Sequence, residues 1–356
     1  MSHPVHLPAR ADLCIVRLSA LGDVTHMLPF VRTLQHARPQ WRLTWIIGRL
    51  EHALVGDLPG VEFIVFDKGA GARGYTELAR ALRGRRFDAL LQMQVALRAN
   101  VAGRLVRARH RVGFDRARSR DGHGLFIDHR IAPNPRAHVL DGFLDFLDVL
   151  GVDERVWRWD LPLSDTAQAF AAEHTPPAGR FLAINACTSA RPQNWRNWSA
   201  QRYAAVATHA WRVHGLATVL TGGPAEAERA MAAAIHDQAD APVTNLVGAT
   251  TPQQLAAVLA RAAVTIAPDT GPAHIANAVG TPVIGLYATS NPARTGPYGW
   301  RDWCVDRYPD ALAAETGLTV DQARWGQRVR NPQAMARITV EDVTDRLDQW
   351  FARSAH

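Results

Sequence analysis

At 356 residues, 47% hydrophobic and 21% charged, the chain is long enough for two domains with filled cores, and its balance excludes a disordered or fibrous protein. The formal charge of +7 suggests an anionic partner, but no helix-turn-helix, zinc finger or aromatic RNA-binding motif accompanies it, so no nucleic-acid partner is expected. Apolar runs are of strand length, far below the roughly 20 residues of a membrane span.

Met1 to Arg10 lacks the apolar core of a secretory leader. Cys14, Cys187 and Cys304 form neither a zinc spacing nor a disulfide framework, which fits a reducing cytoplasm. In chain order, Leu13–Leu18 reads as a strand, and Ser19–Val24 turns into a helix reaching about Ala37. Arg42–Ile47 and Glu62–Phe66 are strands, Tyr75–Arg83 a helix, Phe87–Leu91 a strand and Leu97–Val106 a helix. A strand at Arg111–Phe114 precedes a basic loop, Asp115–Gly124, and Ala137–Leu150 has helical apolar spacing. Gly151–Thr175 reads as irregular, ending in a linker. A second series follows: strand Phe181–Asn185, helix Ala200–His214, strand Ala217–Leu220, helix Ala225–Gln238, a short strand near Thr244–Val247 and helix Pro252–Arg261. Next come strand Val264–Ala267, a small-residue helix Ala273–Ala278 and strand Val283–Tyr287. Asn291–Gln333 reads as irregular, and Val340–Phe351 as an amphipathic helix.

Alternating strands and helices imply an α/β protein with parallel, doubly wound sheets. Expected domains are residues 1–165 and 176–337, with a C-terminal helix in 338–356. The most informative segment is Ala267–Tyr287. There a strand ends in Asp269-Thr270-Gly271 and enters a close-packed helix, aiming N–H groups and a positive dipole end where a phosphate would sit. An ordinary strand-turn-helix is the plain alternative. Leu18–Asp23 lacks the Gly-X-Gly-X-X-Gly fingerprint of a dinucleotide-binding dehydrogenase.

Four segments together resemble glycosyltransferase family 9, the heptosyltransferases of lipopolysaccharide core synthesis. They are Arg17–Pro29, Arg196-Asn-Trp198 with Arg202-Tyr203, Gly222–Glu226, and Pro268–His274. The resemblance covers nearly the whole chain and implies a GT-B fold, two Rossmann-like domains facing across a cleft. It implies a nucleotide-diphosphate sugar donor, ADP-heptose, held by the second domain. A lipid A-linked glycan acceptor would enter from the first, at the cytoplasmic face of the inner membrane. No cofactor is implied. No Asp-X-Asp metal signature follows a strand, so metal-independent transfer is expected.

By the same resemblance Asp23 is the general base that deprotonates the acceptor hydroxyl; its plain alternative is a helix cap. Ser19 and Gly22 form a close-approach loop around the acceptor, and His26 is a further candidate contact. Thr188 and Ser189 place hydroxyls beside the donor. Arg196 occupies the family's phosphate-pairing lysine position if Trp198 is the matching tryptophan; Gln193 occupies it if Trp195 is, and Arg191 is a substitute cation. Glu226 matches the ribose-binding carboxylate, though the dipole alone favours Glu there. Asp269 is expected on heptose hydroxyls, Thr270 and Gly271 on the diphosphate, and His274 beside that turn. Arg98, Arg116, Arg118 and Arg120 either receive a phosphorylated acceptor or form a solvated face.

Overall fold

A computed structural model of the chain describes residues 4–188 and 195–354. The chain divides into two compact units, Met1–Pro162 and Leu163–His356. In the first, strands β1 (Asp12–Val16), β2 (Arg42–Gly48), β3 (Val61–Phe66), β4 (Phe87–Gln92), β5 (Ala108–Gly113) and β6 (His129–Arg130) make one parallel sheet, ordered β3-β2-β1-β4-β5-β6. Helices α1 (Leu21–Ala37), α2 (Arg49–Val55), α3 (Ala72–Ala81), α4 (Leu97–Arg104) and α5 (Val139–Val149) cover it. Leu13, Cys14, Ile15 and Val16 are all fully buried. A strand with helices on both faces needs apolar residues on both, so β1 reads as a continuous apolar run. One face packs Cys14, Val16, Ile46 and Leu90 against Leu78 of α3 and Ala99 and Ala102 of α4.

The second unit repeats the plan. Its strands β7 (Phe181–Asn185), β8 (Ala217–Thr221), β9 (Val243–Asn245), β10 (Val264–Pro268), β11 (Val283–Tyr287) and β12 (Val305–Asp306) form a parallel sheet ordered β12-β11-β10-β7-β8-β9. Its helices are α6 (Asp165–His174), α7 (Ala200–His214), α8 (Glu226–Gln238), α9 (Pro252–Arg261), α10 (Gly271–Ala278), α11 (Pro292–Thr295), α12 (Tyr308–Thr316) and α13 (Val340–Ser354). Helix α13 sends Val343 and Leu347, both fully buried, into the core formed by Leu182, Ile184 and Tyr203. Each such side chain contributes about 1.5–3 kcal/mol of burial.

Strand order reverses at one place in each sheet, between β1 and β4 and between β7 and β10. The loops leaving the carboxyl ends of these adjacent strands diverge, opening the crevice in which doubly wound folds bind ligands. Arg17–Asp23 leaves β1, and Asp269–Gly271 leaves β10.

The structure differs from the sequence reading in four stretches, one of them the short strand β6, which the sequence reading lacked. Residues 165–174, read as irregular, form α6, capped by Ser164, whose hydroxyl accepts from the Ala167 N–H at 3.3 Å. Only Ala167 and Ala171 of that helix are buried, so its apolar periodicity is weak. Within Asn291–Gln333 the structure forms α11, β12 and α12. Helix α2 follows β2 directly, with Gly48 at its N-cap. A Cβ there would lie 2.4 Å from the Leu18 carbonyl oxygen and 2.3 Å from the Glu51 carboxylate, so the close approach requires glycine. Among the described residues, no helix is long and apolar enough to cross a membrane.

Candidate active site

Asp23 is the third residue of α1, in its first turn. Its Oδ2 accepts from the Ala20 N–H at 3.0 Å and pairs with Arg17 Nη2 at 2.5 Å. The capping geometry is therefore present, and it uses one carboxylate oxygen. Arg17 is itself held: Nη1 donates to the Met93 carbonyl at 2.8 Å, and its guanidinium lies 4.9 Å from the Phe143 ring centre. The rest of the loop is equally fixed. Leu18 N–H donates to Gln94 Oε1 at 2.7 Å, and Gln94 Nε2 donates to Ser19 Oγ at 3.1 Å. Lys68, paired with buried Glu51 at 2.8 Å, donates to the Leu18 carbonyl at 3.2 Å. The orientation of this carboxylate is thus fixed by the fold itself. Gly22 is buried at the base of this turn, its carbonyl accepting from Thr25 at 2.7 Å. His26 lies inside the unit, edge-on to His138 at 5.4 Å.

The basic loop after β5 is a folded unit. Buried Asp115 accepts from the N–H groups of Ala117 at 2.7 Å and Arg118 at 3.1 Å. The Arg118 guanidinium bonds Asp115, Asp145 and the Ala132 carbonyl. That side chain holds the loop together, whereas Arg98, Arg116 and Arg120 are exposed. Asp121 accepts from the Leu97 N–H at 3.2 Å, docking the loop on the first turn of α4. Beneath the loop, buried His123 accepts from the Phe114 N–H through Nε2 at 3.1 Å, so Nδ1 carries the proton to Asn100 Oδ1 at 2.9 Å. Burial, aided by Arg130, pushes its pKa down to about 4. A Cβ at Gly113 would lie 2.4 Å from this imidazole.

In the second unit, Thr270 caps α10 by position, and Asp269 is buried just before it. Arg196 Nη1 donates to the Asp269 carbonyl at 2.6 Å and lies 3.6 Å from its carboxylate. Ser290, in the loop after β11, donates to Asp269 Oδ2 at 2.7 Å. Thr188, in the loop after β7, is held by Asn197, which accepts from its N–H at 2.9 Å and its hydroxyl at 3.1 Å. Thr188, Arg196, Asp269, Thr270 and Gly271 thus gather at the β7/β10 reversal. His274 is buried one turn into α10. Trp198 is 2% exposed and its Nε1 donates to the Ile338 carbonyl at 3.0 Å, whereas Trp195 is 38% exposed. Burying Trp198 turns Arg196 toward the Asp269 turn. Ser189, Arg191 and Gln193 lie outside the described residues.

Glu226 opens α8 and is exposed. The carboxylate that closes on the preceding loop is Glu228, accepting from the Gly223 N–H at 2.6 Å beside Cys187 and Val247. Sequence reasoning missed Glu228 and Ser290. The cue for Glu228 is a second acidic residue in the first turn of α8, five residues after Gly223; Ser290 reaches its partner only through the pairing of β10 with β11. Among the described residues, the cluster of three or more potential metal ligands is His209, His214 and Asp348, away from these loops.

The family described as glycosyltransferase family 9 (heptosyltransferase) matches residues 75–315. The lipopolysaccharide core heptosyltransferase OpsX of Haemophilus influenzae is 36% identical over 344 residues, spanning 97% of this chain and 98% of that one. Lipopolysaccharide heptosyltransferase 1 of Pseudomonas aeruginosa is 27% identical over 80% of this chain and 81% of its own. The crystal structure of a family 9 glycosyl transferase from Veillonella parvula superposes with a TM-score of 0.78 at 22% identity, over 96% of this chain and 97% of that one. The E. coli heptosyltransferase WaaC with ADP gives 0.71 at 18% identity, over 95% and 99%. These likenesses place the two doubly wound sheets in the GT-B fold class. The chain belongs to glycosyltransferase family 9, the heptosyltransferase family.

Proposed function

We propose that the chain is an inverting heptosyltransferase, moving a heptose from ADP-heptose to a lipid A-linked inner-core acceptor of lipopolysaccharide at the cytoplasmic face of the inner membrane. Asp23 takes the proton of the acceptor hydroxyl, whose oxygen attacks the anomeric carbon as the bond to the diphosphate breaks and ADP leaves. Arg17 and the Ala20 N–H hold Oδ2, so the second oxygen serves as the base. Ser19 and Gly22 let the acceptor approach, and Arg98, Arg116 and Arg120 attract its phosphates. Arg118 supports Arg116 and Arg120 by fixing their loop.

Charge then accumulates on the diphosphate. Arg196, the N–H groups at Thr270 and Gly271, and the hydroxyls of Thr188 and Ser189 stabilise it without a divalent metal. Asp269, oriented by Ser290 and Arg196, binds heptose hydroxyls, His274 backs the turn, and Glu226 reaches the ribose. The observation carrying this reading is Arg196 seated 2.6 Å from the Asp269 carbonyl at the start of α10. It joins a permanent cation, a carboxylate and a helix N-terminus, the set that a sugar diphosphate needs.

The test is release of ADP from ADP-heptose, with and without a core acceptor lacking heptose, beside UDP- and GDP-sugars. Acceptor-dependent turnover fastest with ADP-heptose is expected. Faster turnover with a UDP-sugar would overturn the donor assignment.

A further inference from the structure

On the far side of the second sheet, three titratable side chains converge outside the donor loops. His209 and His214 come from the last turns of α7, and Asp348 comes from α13. His209 Nε2 lies 2.8 Å from Asp348 Oδ1, and His214 Nε2 lies 2.6 Å from the same oxygen. One potential ligand atom from each of the three lies within 4.8 Å of the others. His214 is stacked on Phe351, with ring centres 4.6 Å apart, so its imidazole is already oriented. Residues on two helices, separated by more than 130 positions, thus offer two imidazole nitrogens and one carboxylate oxygen to a single point.

We propose that His209, His214 and Asp348 bind a divalent transition metal of the zinc class, clasping the terminal helix to α7. The donor set selects the metal: two imidazoles and one carboxylate suit Zn²⁺, whereas Mg²⁺ and Ca²⁺ take oxygen shells. Three protein ligands leave a fourth tetrahedral position for water. The side chains are 27%, 13% and 43% exposed, so an ion and its water can enter from solvent. Loading requires each Nε2 to exchange its proton, now shared with Asp348, for the metal. Spreading the two nitrogens from the carboxylate oxygen by roughly 0.5–0.8 Å then gives the ligand-to-ligand spacing of a tetrahedral Zn²⁺ site.

The site is structural by its position. His214 ends α7 two residues before β8 begins at Ala217, placing it at the amino edge of the sheet, whereas the donor loops leave the carboxyl edge. What the metal fastens is α13, whose Val343 and Leu347 fill the core. Loading should therefore raise thermal stability and leave turnover number unchanged.

The experiment titrates Zn²⁺ into chelator-treated full-length protein by calorimetry and thermal melting, and records visible spectra with Co²⁺. Expected are one equivalent of saturable Zn²⁺ binding, a higher Tm, and intense Co²⁺ bands of a four-coordinate nitrogen–oxygen site. His209→Ala and Asp348→Asn should each weaken binding more than about tenfold, since even outer-shell losses cost that much. His236→Gln, on α8, should not. Binding that survives both ligand substitutions, or faint six-coordinate Co²⁺ bands in the wild-type protein, would overturn the proposal. The wild-type spectrum decides the matter even if a variant fails to fold.

Discussion

Arg17 and Gln94 show how single side chains fix the β1 loop that carries the proposed base. Arg17 and the Ala20 N–H consume one oxygen of Asp23, and Gln94 ties down Leu18 and Ser19 from the neighbouring strand's end. The motif Arg17–Pro29 singles out Asp23 in the sequence, and the structure puts it in the first turn of α1. Nothing in the sequence singles out Gln94, because its contact exists only once β1 pairs with β4, 75 residues away. His123 carries a separate consequence. Its folded pKa of about 4 lies below the ordinary 6.5, so the unfolded chain takes up the proton first as pH falls. The stability it supports is complete above pH 6.5 and is lost progressively toward pH 4, up to about 3 kcal/mol at 1.36 kcal/mol per unit. Urea unfolding of wild type and His123→Gln at pH 7 and pH 5 checks this. Wild type should lose more stability over that interval than the variant; equal losses would mean that the imidazole is not held neutral in the fold.

At the scale of elements, strands were easiest to read and packing helices hardest. Strands β7 and β11 and helices α7 and α9 have the bounds that their apolar patterns suggest. Buried β-branched runs and a Thr251-Gln254 capping box state their limits locally. Helices α6 and α12 were hidden because each is short and buries few residues, Ala167 and Ala171 in one and Tyr308, Ala311 and Leu312 in the other, too brief a stripe to stand out. In the proposed donor site, Arg196 ties its loop to the start of α10, with Trp198 as anchor. Arg196→Ala should raise the KM for ADP-heptose and lower kcat, and Arg196→Lys should restore part of both, because a lysine returns the charge without the fork. Kinetics on both variants give the answer. A silent Arg196→Ala alongside a damaging Arg191→Ala would assign the phosphate contact to Arg191.

Over the whole molecule, two similar sheets carry different chemistries. The first unit presents a carboxylate and exposed arginines, the second a helix N-terminus and a half-buried cation. The basic charge of +7 suggests an anionic partner, but composition does not say which arginines are left exposed to meet one. Arg118 is spent on Asp115 and Asp145, a pairing across 27 residues that composition cannot reveal. Stabilising the leaving group from the chain's own charges predicts that dialysed enzyme keeps its activity in excess EDTA. Chelation should lower Tm through the α7–α13 site while leaving kcat intact. Loss of turnover restored by Mg²⁺ or Mn²⁺ would contradict this account of the departing diphosphate.

The most direct measurement is heptose transfer by Asp23→Ala, made alongside the variant's affinity for ADP-heptose. Removing a general base costs about 100- to 10,000-fold in rate. The account predicts a fall of that size in kcat with donor binding retained, because Asp23 acts on the acceptor hydroxyl and makes no contact with ADP. A variant that keeps more than about a third of wild-type turnover would show that Asp23 only caps α1, and that another group takes the proton.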